Sequence, residues 1–117
     1  MAEVDIGEKI EYYSDVIDMY KKNIKIGISG EPYLDLLVMG LYSYVIIELK
    51  ECTTQTQLEK KIQDFLKLEN EFTKRGYKDS LLTCDYFMLR GTIKVIINEL
   101  RGEFPRRKKE ELINESR

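Results

Sequence analysis

Ile6, Ile10, Tyr13, Ile17, Tyr20 and Ile24 recur at intervals of four, three, four, three and four residues. That rhythm lays one narrow apolar stripe along a helix and predicts a first helix over about 2–25. Tyr12, Val16 and Met19 widen the stripe on one flank, while Glu8, Glu11, Asp15, Asp18, Lys22 and Lys25 occupy the opposite face. The stretch "IKIGISGEP" breaks the pattern. Its Gly27, Ser29, Gly30 and Pro32 signal a connection, with Pro32 suited to a first helical turn. The alternation of Ile24, Ile26 and Ile28 fits a short strand as well, but a loop with buried isoleucines is the preferred reading.

A second helix is predicted over about 32–51. "ECTTQTQ" ends it and opens a third, with Thr56 and Glu59 reading as a capping box and Thr54 with Gln57 as an equally good one. The third carries Leu58, Ile62, Phe65, Leu66 and Phe72 to about 75, where Gly76 is a natural stop. A fourth opens near Asp79, a good N-cap, and runs to about 101. Its stripe is Leu82, Tyr86, Leu89, Ile93, Ile96, Ile97 and Leu100, and Gly102 and Pro105 end it. The expected fold is therefore all-α, an antiparallel up-down bundle of about four helices with a short charged C-terminal tail. A chain of 117 residues is one domain's worth. We divide it into a bundle at 1–104 and a charged, flexible tail at 105–117.

The second helix raises its own question. From Leu36 to Ile47 no residue is charged, and Leu36, Leu37, Val38, Met39, Leu41, Val45, Ile46 and Ile47 cover nearly its whole circumference. Twelve uncharged residues between Asp35 and Glu48 fall short of the roughly 20 of a membrane span, so no membrane association is expected. A helix apolar all round is buried on several sides, more than three neighbours in a small bundle easily provide. The loop and the C-terminal segment are one possible cover, and a second copy or another protein is the other. The favoured interface residues are Leu37, Leu41, Tyr44 and Val45 on the second helix, with Ile10 and Ile17 on the seam of the first. Gly40 and Gly91, each in mid-helix, either let the second and fourth helices cross closely or are merely tolerated.

Composition narrows the chemistry. The chain has no His, so Ser-His-Asp and Cys-His nucleophile systems and histidine metal sites are absent within it. Cys52 and Cys84 fall at opposite ends of the expected bundle, separated by more than about 20 Å of third helix. A disulfide, which needs Cα atoms within about 7 Å, is not expected. Glu48 with Glu51 and Glu69 with Glu71 read as solvated acids, and no metal, cofactor or catalytic residue is assigned. "GISGEP" lacks the Lys and Ser/Thr of a phosphate-binding loop and reads as a plain turn. Asp85 and Arg90, five apart on the fourth helix, are read as separate positions rather than a pair.

Net charge is -2, which gives no bulk attraction to nucleic acid. The one basic cluster is Arg106, Arg107, Lys108 and Lys109. Abundant Lys, Glu and Ile resemble a thermophile's composition. The functional expectation is a non-enzymatic helical protein-protein interaction module, an adaptor or regulator that forms a homodimer in the cytoplasm. The alternative is a small helical subunit of a nucleic-acid-associated (ribonucleoprotein) complex that uses the basic tail and surface tyrosines.

Overall fold

The four apolar stripes become four helices: α1 (Ile6–Lys25), α2 (Pro32–Leu49), α3 (Gln55–Lys78) and α4 (Thr83–Arg101). The structure, a computed structural model, describes residues 6–102. The expected tail at 105–117 and the first residues of the first helix lie outside the described residues.

Local chemistry explains each helix end. α1 closes in a Schellman motif, with Gly27 at φ +79°. The Ile28 N–H donates to Asn23 O at 3.1 Å and the Gly27 N–H to Ile24 O at 3.2 Å, so two otherwise orphaned carbonyls are satisfied. The segment after it is a loop, as preferred. Its isoleucines are not buried, however: Ile26 and Ile28 stand about half exposed, because the Schellman turn directs the chain away from the core. Pro32 opens α2 at its first turn.

Of the two capping boxes at the start of α3, Thr54 with Gln57 is the one formed. The Thr54 hydroxyl accepts from the Gln57 N–H at 3.2 Å, and the Gln57 side chain accepts from the Thr54 N–H at 3.2 Å. α3 then runs through Gly76 to Lys78 rather than stopping at it. Asp79 does not cap α4 directly. It closes α3, its carboxylate accepts the Leu81 and Leu82 N–H groups, and α4 begins only at Thr83.

Side-chain pairs give the topology. Tyr42 of α2 lies against Tyr13 of α1, and Tyr20 approaches the same ring. Tyr44 of α2 meets Phe65 of α3, and Lys61 of α3 bonds Glu48 of α2. Phe72 of α3 meets Tyr86 of α4, and Tyr33 at the start of α2 bonds Asp85 at the start of α4. Consecutive helices therefore run antiparallel, α2 and α4 run parallel, and α2 packs against all three others. The core holds Tyr13, Leu41, Val45, Leu49, Leu58, Ile62, Phe65, Ile93, Ile96, Ile97 and Leu100. The molecule is a slab of 44 × 38 × 20 Å. Its short dimension leaves room for about two helix layers of roughly 10 Å each.

The glycines sort differently from expectation. A Cβ at Gly40 or Gly91 would meet nothing within 4 Å, so the two helices do not cross closely there within the chain. The close approach is at Gly76, where a Cβ would run into the Phe87 ring. That ring is itself braced by Tyr77, edge-on at 5.2 Å, and by the Arg90 guanidinium at 4.6 Å. Opposite signs follow for two chemically identical substitutions. Gly76→Ala is expected to destabilise by about 1–3 kcal/mol through overpacking. Gly91→Ala is expected to stabilise by about 0.5–1 kcal/mol by removing backbone freedom from the unfolded chain. Thermal and urea denaturation of the two variants checks both, and a Gly76→Ala protein as stable as the parent would mean that the ring moves aside freely.

Candidate interaction surface

Two apolar stripes are superposed on α2, and the structure separates them. Val38, Leu41, Val45 and Leu49 turn inward and are buried. Leu41 and Val45, favoured from sequence as interface residues, are therefore core side chains, with exposures of 6% and 0%. Leu37, Ile10 and Ile17 are half-buried, and Tyr44 is exposed with its ring edge-on to Phe65.

The second stripe is Tyr33, Leu36, Gly40, Ser43 and Ile47, spaced three, four, three and four, and every member is exposed. Tyr33, Leu36 and Ile47 keep 58%, 57% and 60% of their surface free. Such spacing is a heptad seam with no partner among the described residues. The signal was present in the sequence, but on a helix apolar all round two interleaved seams read as one continuous coat.

Polar contacts hold the edges of this face in place. The Tyr33 hydroxyl donates to Asp85 Oδ2 at 2.9 Å, which raises the tyrosine's pKa, chiefly through that bond. At the other end the Lys61 ammonium bridges Glu48 Oε2 at 2.6 Å and Glu51 Oε2 at 2.7 Å. These bonds, to Glu48 first, raise the lysine's pKa. Glu48 and Glu51 are thus a clamp between α2 and α3 rather than a freely solvated pair. Beside Pro32, Ser29 donates to Asp35.

α2 is long and apolar enough to cross a membrane by length and composition alone, and only 22% of it is buried. Asp35 and Glu48 nevertheless bracket its uncharged run.

Elsewhere the polar contacts tie helices together. Tyr13, fully buried, donates to Glu99 Oε1 of α4 at 3.1 Å, and Tyr12 approaches Glu99 Oε2 at 3.5 Å. Burial, reinforced by the neighbouring Glu99 charge, pushes the Tyr13 phenol far above its ordinary range, and burial does the same to Tyr42. Both cysteines are free thiols, Cys52 buried and Cys84 exposed, and burial raises the Cys52 pKa. Among the described residues, no three or more potential metal ligands come together. Asp85 and Arg90 are separate, the first bonded to Tyr33 and the second stacked on Phe87.

The end of α3 gathers Lys74, Arg75 and Lys78 around a groove that Ser80, Leu81 and Tyr86 complete, with Glu71 and Asp79 in the same lining. Arg75 is bonded to Glu71 at 2.9 Å. The tail cations Arg106, Arg107, Lys108 and Lys109 lie outside the described residues.

The buried tyrosines make stability sensitive to alkali. In the unfolded chain the phenol ionises near pH 10, whereas folded Tyr13 holds its proton beyond that point. Above about pH 10 the folded state binds more protons than the unfolded one, so stability falls as pH rises. Urea midpoints between pH 8 and 11 check this, and Tyr13→Phe is expected to flatten the decline.

No protein-family model matches the sequence, and neither a curated protein nor a solved structure matches it.

Proposed function

We propose that the protein is a non-enzymatic helical interaction module, an adaptor or regulator, that docks protein through the outer face of α2 and self-associates there. One observation carries the reading. The helix at the centre of the fold presents an exposed seam, apolar at Tyr33, Leu36 and Ile47 and small at Gly40 and Ser43, that no other part of the described chain covers. Exposed large apolar side chains in register cost free energy in water, and a contiguous patch of several hundred Å² marks an interaction site. Half-buried Leu37 flanks this face, Leu41 and Val45 support it from beneath, and Ile10 packs against the core. An exposed Cys84 thiol suits a reducing, cytoplasmic setting.

A small subunit of a ribonucleoprotein complex is the second reading. Its support is Tyr77, 77% exposed, on the same last turns of α3 as Lys74, Arg75 and Lys78. Aromatic rings beside cations can stack bases and meet phosphates. The acids in that groove and the net charge of -2 weigh against it.

Light scattering over a micromolar concentration series tests the first reading. The expected mass exceeds the single-chain 13.8 kDa, and Leu36→Asp is expected to return the protein to one chain with its helical circular dichroism intact. A single-chain mass throughout would remove self-association. For the second reading, single-stranded RNA binding is titrated with salt in the full chain, a 1–104 chain and a Tyr77→Ala variant. Binding that is absent at low salt would eliminate it.

A further inference from the structure

We propose that two copies pair through α2 in an antiparallel, two-fold arrangement centred between Gly40 and Ser43. The inference rests on the self-association reading above and specifies its geometry. Positions on the exposed seam are symmetric about a point midway between residues 41 and 42. Leu36 mirrors Ile47, Gly40 mirrors Ser43, and Tyr33 mirrors Lys50. In an antiparallel pair, each large side chain of one copy meets a large one of the other. The two small residues meet at the centre, where helix backbones approach closest. A Cβ at Gly40 meets nothing within its own chain, so a second backbone has space there.

Charge decides the direction. The seam ends at its C-terminal side in exposed Lys50 and begins beside exposed Glu31. Antiparallel pairing sets Lys50 of one copy near Glu31 and the Tyr33 ring of the other, a pairing of opposite charge and of cation with π-face. Parallel pairing would set lysine on lysine and glutamate on glutamate. Helix dipoles also oppose each other favourably in the antiparallel case.

The same charges disfavour a lipid surface as the occupant. Glu31, Asp35, Glu48 and Glu51 accompany a single Lys50 along this helix, whereas binding to anionic headgroups calls for a basic border.

Tyr33, Leu36, Tyr44 and Ile47 together expose roughly 400 Å² per copy. That is about half of the roughly 800 Å² that each partner of a standard complex buries. Half-buried Leu37 and Met39 and the helix ends supply further area, which fits a pair of micromolar rather than nanomolar affinity.

Charge complementation reads the geometry directly. Leu36 and Ile47 are more than half exposed, so Leu36→Lys and Ile47→Glu change the surface and leave the core intact. Circular dichroism and melting temperature verify the fold of each. Each variant alone is expected to weaken dimerisation at least tenfold in sedimentation equilibrium. An equimolar mixture is expected to restore a dimer, because antiparallel pairing sets the new lysine against the new glutamate and leaves Leu36 and Ile47 together at the other contact.

Three results would overturn the proposal, each distinctly. A wild-type single-chain mass at tens of micromolar removes self-association itself. A wild-type dimer whose variants stay dissociated when mixed removes the antiparallel register and leaves self-association standing. A single chain that floats with phosphatidylserine-containing vesicles assigns the face to lipid.

Discussion

α2 carries apolar side chains around nearly its whole circumference, yet a slab about 20 Å thick can cover only part of it. The fold resolves half of this constraint. Val38, Leu41, Val45 and Leu49 go inward and tie α1, α3 and α4 to a common core. Placing α2 against all three neighbours gives the chain one continuous cluster of buried side chains instead of two separate hairpins. The remaining face, Tyr33 to Ile47, is the consequence. It is left in water not by a defect of packing but because three helices cannot encircle a fourth in two layers.

Polar contacts at the edges of the slab set how the hairpins meet. Lys61 holds two carboxylates at the α2–α3 corner, Tyr33 links the starts of α2 and α4, and Tyr13 reaches Glu99 across the interior. Each joins helices through a group that would be costly to leave unpaired where water is partly excluded. The α3–α4 hairpin uses the opposite device, an absent side chain. Gly76 admits the Phe87 ring, and the helix continues through the glycine because packing there outweighs its low helix propensity.

These features describe a small helical bundle with an exposed apolar face on α2. Where pKa values move, they belong to tyrosines in or beside the core, to the exposed Tyr33 bonded to Asp85, to the buried Cys52 thiol, or to cations held by neighbouring carboxylates. The outer seam of α2 has heptad spacing, with its small residues Gly40 and Ser43 in the middle of the run.

Helix number, helix type and antiparallel order were legible in the sequence, because each stripe of period near 3.6 has only one way to hide from water. The capping residues were legible as candidates. Choosing Thr54 over Thr56, or assigning Asp79 to the turn before α4, required knowing where the neighbouring chain goes. Gly76 read as a stop because glycine usually ends helices, and only the Phe87 ring across the hairpin gives it another reason to be there. The interface read from sequence mixed Leu41 and Val45 with Tyr44 because periodicity shows how apolar a helix is and not which side meets its neighbours. Sequence by itself determined that α2 carries more apolar surface than a small bundle hides. Only the tertiary structure decided which half is core and which half faces outward, since that depends on the angular position of three other helices around it.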